Sequence, residues 1–354
     1  MDESFESKYK NRLYSLLENK KITSEQLDHF IKRGITVIYP SRDFGLKSLG
    51  NVLPEIVIGA SSSYINKMKV PYQATSYLAA NTRSDGKGFY IYKIPRRSAG
   101  GILLLTGGKR RIGDNVFAST HRILIGFKAI IVSALNLIVN KNKILNWQFF
   151  GNHIKDSYSD IYEDLIKLQK IIGGYSPFHY VVIARSERTF RTLRVAEEYQ
   201  KNRISVLDPS NNIKVIFVTT QNGYDYASKI IPESDLINYI VTGKEFDIYN
   251  GMVHLRCKHN IDIILNDGGR QMSNGIRDAG LLGEERITLE PYPGNKIISG
   301  VWKLDPTSIL GMSGMGLDGN EVYGTIMIHS TKIGEESANV YVYPLKSGLS
   351  QSQK

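Results

Sequence analysis

The sequence predicts an α/β protein: a mixed, mostly parallel central sheet flanked by helices, with a C-terminal antiparallel hairpin and an N-terminal helical extension. Three observations predict it. Runs rich in Val, Ile, Tyr and Phe recur at Ala74 to Ala80, Ala129 to Ala134, Tyr180 to Ala184, Lys214 to Thr220 and Ile261 to Leu265. Most are almost unbroken by polar residues, as strands covered on both faces are. Helical or polar text separates them, and strands alternating with helices build a parallel sheet. The tail breaks the pattern, because Glu321 to Ser330 and Asn339 to Leu345 read as two strands joined across Lys332 to Ser337, a hairpin.

Element by element, the chain opens on two helices. Phe5, Tyr9, Leu13, Leu16 and Leu17 recur at helical spacing. Thr23 followed by Gln26 forms a capping box for a second helix that stops at Gly34. From Ile35 to Lys69 the text reads as loop, with Pro40, Gly45, Gly50, Pro54 and Ser61-Ser62-Ser63. Before the third strand, Ile161, Leu165, Leu168 and Ile172 share one helical face and end at Gly173-Gly174. After the fifth strand, helical text runs to Ala279, with Gly280 as its stop. The expected division is an extension and linker over residues 1–64, one domain over 65–345 and a frayed tail over 346–354.

Composition narrows the class. The 354 residues are 42% hydrophobic and 22% charged, as in a soluble globular chain. The start lacks a signal-peptide layout, and the apolar run Ala129 to Val139 is too short to cross a bilayer. A single cysteine, Cys257, excludes an intramolecular disulfide and a multi-cysteine zinc site, which makes the cytoplasm the expected compartment. His254, Cys257 and His259 match no standard metal spacing and read as a packed strand edge or loop, so no metal is expected. The net charge of +11 is local: from Lys87 to Lys128 nine basic residues face only Asp114. Such a segment suits a phosphorylated small molecule or a polyanion.

Two strand ends could carry chemistry. Ile261 to Leu265 leads into Asp267-Gly268-Gly269 and then helical text. Glycines lack the Cβ that keeps a phosphate off the backbone, and a helix opening there aims N–H groups at an anion. For an isolated Gly-Gly a tight strand-to-helix turn is the favoured reading, and the chain has no full G-x-G-x-x-G there. Tyr180 to Ala184 leads into Arg185-Ser186-Glu187-Arg188, where a cation and a hydroxyl past a strand end can grip a phosphate monoester or stand solvated. Ser84-Asp85-Gly86 reads as a turn.

Taken in order, Ala79-Ala80-Asn81, Ser84-Asp85-Gly86, Arg185-Ser186, Val218-Thr219-Thr220, Asp267-Gly268-Gly269 and Ala279-Gly280-Leu281 resemble the landmarks of one family. It is the reductase domain of the bifunctional riboflavin-biosynthesis deaminase-reductase, which has the dihydrofolate-reductase fold; the resemblance spans roughly residues 65 to 345. It implies an NADPH-dependent reductase, similar to 5-amino-6-(5-phosphoribosylamino)uracil reductase, acting by direct hydride transfer on a small heterocyclic, phosphorylated substrate. Gly268 and Gly269 would hold the pyrophosphate, with Arg270 replacing the family's proline after them. Arg185 and Ser186 would face the adenosine phosphate beside Thr219 and Thr220, and Asn81 the nicotinamide. Ser133 opens Ser133-Ala134-Leu135-Asn136, where the family has G-A-G-T at a cofactor-facing strand end. For the substrate, the resemblance implies Ser84, Asp85 and Asp267, the last in place of a substrate-facing glutamate. In the basic segment, Arg96, Arg97, Arg110, Arg111 and Arg122 are candidates for the substrate phosphate, with Arg122 preferred and a solvated basic loop as the alternative for each. No acid-base triad is expected, since hydride transfer needs proximity and a dry pocket. The deaminase half is excluded, because its zinc needs a Pro-Cys-x-x-Cys. Related reductases form homodimers, which the N-terminal helices could serve. Two other classes remain in view: a reductase fold eroded to nucleotide or protein binding, motivated by Leu135, and nucleic-acid binding through Lys87 to Lys128 with Phe89, Tyr90 and Tyr92 as stacking groups. The last ranks lowest, as no nucleic-acid module surrounds that segment.

Overall fold

Alternate residues of the apolar runs enter two different cores. Ile130, Val132, Tyr180, Val182, Val215, Phe217 and Leu265 face one side of the sheet, and Ala129, Ile131, Val181, Ile183, Ile216, Val218 and Ile264 face the other. This is the period of two of a strand covered on both faces. The structure is a computed structural model. It describes residues 5–20, 22–81, 89–90, 112–173, 178–268, 272, 275–276, 279–290, 325–333 and 337–344, without the side chains at 5, 76–81, 89–90, 112–114, 285, 287–290 and 325–344.

The N-terminal part comprises α1 (Phe5–Glu18), α2 (Ser24–Arg33), β1 (Thr36–Ile38), α3 (Pro40–Phe44), α4 (Lys47–Val52), β2 (Ile56–Ile58) and α5 (Ser62–Lys67). Then come β3 (Tyr72–Asn81), β4 (Phe89–Tyr90), α6 (Ile112–Leu124), β5 (Ala129–Ser133), α7 (Ala134–Val139), α8 (Trp147–Gly151), α9 (Ser159–Gly173) and β6 (His179–Ile183). After them follow α10 (Glu187–Thr192), α11 (Val195–Gln200), β7 (Lys214–Thr219), α12 (Gln221–Ala227), β8 (Ile237–Val241), α13 (Ile248–His259), β9 (Ile263–Asn266), β10 (Leu282–Glu290), β11 (Thr325–Ile333) and β12 (Ser337–Pro344). The main sheet has the order β11-β12-β10-β3-β9-β5-β6-β7-β8, with β4 on β3. From β10 to β8 all seven strands run parallel. β12 and β11 complete the sheet as the expected antiparallel hairpin, paired from Thr325↔Pro344 to Ile333↔Ser337.

The segment from Ile35 to Lys69 corrects the sequence reading. It is not loop: β1 and β2 pair antiparallel, with Val37 opposite Val57, and three short helices surround them. Strands of three residues fall below the length at which alternation is legible. β8 and β10 were likewise not anticipated. The Thr23–Gln26 capping box does form, in both directions, at 3.2 and 2.9 Å, and Gly34 ends α2 at φ +63°.

The extension is continuous with the rest of the protein. Tyr9, Leu13, Phe30, Leu49, Leu53 and Val57 belong to the same core as sheet residues Ala74, Ile130, Val182 and Leu265, so a cut after residue 64 divides one core. Buried polar groups tie the two parts further. Asp164 of α9 accepts from Ser48 N and Leu49 N at 2.9 and 3.0 Å, capping α4 from a distant element. Arg33, 2% exposed, donates to Gly59 O, Gly283 O and the Tyr72 hydroxyl. Glu284, fully buried, accepts from Gly59 N at 2.5 Å, from Tyr72 Oη at 2.8 Å and from Arg286 Nε. Arg286 in turn donates to Val57 O.

Two histidines near this network make stability depend on pH. Burial, then the charges of Arg33 and Lys32, hold His29 down to about 4 from 6.5. Burial, then Arg286 and Arg122, hold His121 well below its ordinary value. Both are neutral when folded but take up a proton near pH 6.5 when unfolded. The unfolded state therefore binds more protons as pH falls. Stability is complete above pH 6.5 and declines as pH drops from there towards 4. Urea melts at pH 7 and pH 5 should show this loss, and His29→Gln should make it shallower.

Candidate active site at the carboxyl edge of the sheet

Seven parallel strands point their carboxyl ends to one edge. The chain leaves β3, lays down β5 to β8 on one side, and returns to insert β9 between β3 and β5 before placing β10 on the far side. A crevice where the strand order reverses is the general ligand site of open α/β sheets. Ser133, Arg185, Ser186, Thr219, Thr220, Asp267 and Gly268 all lie at this edge, since Ser133 is opposite Ile183, Ile183 opposite Val218, and Ile131 opposite Asn266.

The centre of the edge is held by an ion pair. Arg122, near the end of α6 and 5% exposed, donates from Nη2 to Asp267 Oδ2 at 2.9 Å. Its Nε donates to Leu145 O at 3.0 Å, Nη1 reaches Ala118 O at 3.4 Å, and the guanidinium stacks on Phe150 at 3.9 Å. Asn136 Nδ2 donates to the Asp267 backbone oxygen at 2.7 Å. Asp267, 22% exposed at its side chain, is therefore fixed from two directions at the edge. Beneath it, burial first and the Asp267 charge second push the Tyr180 phenol well above its ordinary value, so it stays protonated at neutral pH.

The structure relocates several sequence-based expectations. Arg122 turns its charge inward to Asp267 instead of presenting a free cation. The Ser133 hydroxyl accepts from Asn136 N and caps α7, and the Thr220 hydroxyl accepts from Gly223 N and caps α12. Thr219 is fully buried, its Oγ1 without a hydrogen-bond partner among the described residues, beneath Gly223, where an added Cβ would lie 2.0 Å from that oxygen. Arg185 is exposed, with its guanidinium 5.7 Å from the Phe246 ring. Ser186 is half-buried and its hydroxyl makes no capping bond. Asn81 ends β3 but stands apart: Thr75 is level with Asn266, so Asn81 lies six residues, about 20 Å, further along the strand direction. Ser84, Asp85, Arg96, Arg97, Arg110, Arg111, Gly269 and Arg270 lie outside the described residues. His254, Cys257 and His259 sit in the second half of α13, not on a strand edge or loop. Among the described residues, no three His, Cys, Asp or Glu side chains gather as a metal site, and no helix is long and apolar enough to cross a membrane.

An NADP-type cofactor fits this edge unevenly. Among the described residues Arg185 makes no ion pair and Ser186 no capping bond, so a cation and a hydroxyl stand at the strand end for a phosphate monoester. At Gly268 the space is taken: the amide donates to Asn266 Oδ1 at 3.0 Å, and a Cβ there would meet Met272 Cε at 1.9 Å. Pyrophosphate approach at Gly268 thus requires the flexible end of Met272 to swing aside. Leu135, 45% exposed, stands on the first turn of α7. Asn266, Met272, Phe150 and Asn115 are the residues the sequence did not flag. Only Asn115 carried a signal, a carboxamide beside the apolar Val116-Phe117 pair of a helix.

The fold and this edge define an α/β protein whose strand order reverses at the carboxyl edge of its sheet. No family model matches the chain, and no curated protein matches it significantly. Solved structures of similar arrangement include the riboflavin biosynthesis reductase of Saccharomyces cerevisiae, 11% identical over 78% of this chain and 91% of that one, TM-score 0.40. Another is the pyrimidine reductase-like protein of Corynebacterium diphtheriae, 11% identical over 84% and 98%, TM-score 0.44. The diaminohydroxyphosphoribosylaminopyrimidine deaminase/5-amino-6-(5-phosphoribosylamino)uracil reductase of Thermotoga maritima is 15% identical over 80% of this chain, TM-score 0.43; the chain spans 58% of its length.

Proposed function

We propose that this protein is an NADPH-dependent reductase of a small phosphorylated heterocycle, as the ordered sequence motifs imply. The observation that carries the reading is the convergence of Arg185, Ser186, Asp267 and Gly268 on one carboxyl edge at the strand-order reversal. NADPH would supply the hydride. Arg185 and Ser186 would hold its adenosine phosphate through charge and hydrogen bonding. Asp267, kept in place by Arg122 and Asn136, offers a fixed acceptor for a ring N–H of the substrate. Preorganised acceptors of this kind orient a substrate without reorganisation during the reaction.

Titration of the full chain with NADPH and NADP⁺, followed by fluorescence and thermal shift, tests it. The wild type should respond to both, and Gly269→Asp should abolish or strongly weaken the response. No response of the wild type would sink the reductase reading. A second reading, a reductase fold that binds nucleotide without turnover, is favoured by Met272 over Gly268 and by exposed Leu135. Binding of NADPH with no consumption of it in the presence of pyrimidine or pterin substrates would select that reading.

A further inference from the structure

The amino edge of the sheet, opposite the candidate active site, gathers basic side chains on one face. β6 and β7 run parallel with His179 level with Lys214, so the two stand one strand spacing apart, about 4.8 Å at the backbone. Both point to the face that α13 covers, because Val181 and Ile216, two residues further along each strand, share a core with Met252 and Leu255 of α13. The last residue of α13 is His259. Its ring centroid lies 6.2 Å from that of His179, whose Nδ1 is 3.3 Å from Lys128 O. His254 and Lys258 are neighbours on the helix surface at i and i+4.

Charge at this edge is unbalanced. Lys128 pairs with Asp262 at 3.0 Å, and Arg256 lies 3.9 Å from the same carboxylate. Among the described residues, Lys214, Lys258, His254 and His259 make no ion pair. Cations in the last turn of a helix offset its negative end, but that end amounts to only about half a charge. Lys128, Arg256, Lys258 and Lys214 thus outnumber one carboxylate and half a helix charge, and Lys214 comes from a strand that owes the helix nothing. The imbalance is felt at His259. Burial, then the charges of Lys258, Lys214 and His254, hold its imidazole below its ordinary value, and no carboxylate is among the groups acting on it. Burial, then Lys258, lowers His254 as well. A bound anion relieves repulsion of this kind.

We infer that Lys214, Lys258 and the imidazoles of His259 and His254 form a binding site for a tetrahedral oxyanion, phosphate or a phosphate monoester, at the amino edge of the sheet. The site shares no residue with the carboxyl edge and does not rest on the reductase reading. Two ammonium groups supply charge, and imidazole N–H groups supply directed donors to the anion's oxygens. Binding is linked to proton uptake. The groups facing His259 are Lys214 of β7, His179 of β6 and, on α13 itself, Lys258 and His254; the Lys128–Asp262–Arg256 set closes the edge at β5 and β9. A bound dianion favours protonated His259, so affinity rises as pH falls through the titration of that imidazole.

The test follows the imidazole Cε1–H resonances of the full chain by NMR during titration with sulfate, at ionic strength held constant with chloride. Sulfate keeps the same charge between pH 8 and pH 5.5, so any pH dependence belongs to the protein. The resonances of His254 and His259, assigned with His254→Gln and His259→Gln, should move saturably, and at lower sulfate concentration at pH 5.5 than at pH 8. Lys214→Gln should weaken sulfate binding about tenfold, the value of one lost charge-assisted hydrogen bond. It should also raise the His259 pKa without sulfate, which a merely structural role of Lys214 would not do. Inorganic phosphate and glycerol phosphate at pH 8 distinguish the free ion from the ester, the tighter binder being the form the site takes. Resonances that stay still, that move alike in chloride, or that respond to sulfate undiminished in Lys214→Gln would each overturn the site. Failure of the NADPH titration removes the reductase reading and leaves this site standing.

Discussion

Glu284→Ala should lower the stability of the full chain by about 3–5 kcal/mol, the cost of removing one partner from a buried ionic cluster. Glu284 is fully buried, and so is Arg286; Arg33 is 2% exposed. The carboxylate pairs with the Arg286 guanidinium and accepts from Tyr72 Oη and Gly59 N, while Arg33 reaches it only through the Tyr72 hydroxyl. Its loss leaves the buried Arg286 cation without its carboxylate and two donors, Tyr72 Oη and Gly59 N, without their acceptor, at the joint between β2, β3 and β10. Burial first, and the Glu284 charge among the weaker causes, keep the Tyr72 phenol well above its ordinary value, so Tyr72 cannot supply a compensating negative charge at neutral pH. Urea denaturation measures the loss, and a double-mutant cycle with Arg286→Met should return a coupling well above that of a surface pair. A loss below about 1 kcal/mol would mean that the cluster does not join the two parts.

Arg122→Met should cost about 2–4 kcal/mol and weaken ligand binding at the same time. The change deletes the Asp267 ion pair, the Leu145 carbonyl bond and the stacking on Phe150. The carboxylate released is 22% exposed and partly recovers solvation, so the effect stays below that of Glu284. Arg122→Lys keeps a charge but not the fork that serves Nε and Nη2 together, and should recover only part of the loss. Denaturation and ligand titration on the same samples separate the roles. A variant as stable as the wild type that has lost only ligand affinity would place the Arg122 charge on the ligand instead of on Asp267.

Legibility from sequence varied with the scale of the signal. β5, β6, β7 and β9 were readable because three to five consecutive apolar residues have no other stable place than between two covered faces. The hairpin of β11 and β12 was readable from its turn text. β1 and β2 were not, because three residues carry no period, and of the residues read as loop, Pro40 and Gly45 bound one short helix and Gly50 lies inside the next. At the site, the edge itself could be read, since Ser133, Arg185, Thr219 and Gly268 follow strand ends. What those residues do could not. Ser133 and Thr220 spend their hydroxyls capping helices, and Gly268 makes room for Met272.

The sequence by itself determined the parallel α/β class, the capped second helix, the strand ends and the concentration of charge between Lys87 and Lys128, because each is written in local composition and spacing. The tertiary structure alone decided that the extension shares the main core, that Arg122 meets Asp267 across 145 positions, and that Arg33 reaches Gly283 across 250. Partners so distant leave no local pattern. The energy of burying a charge becomes visible only when the fold shows which opposite charge waits beside it.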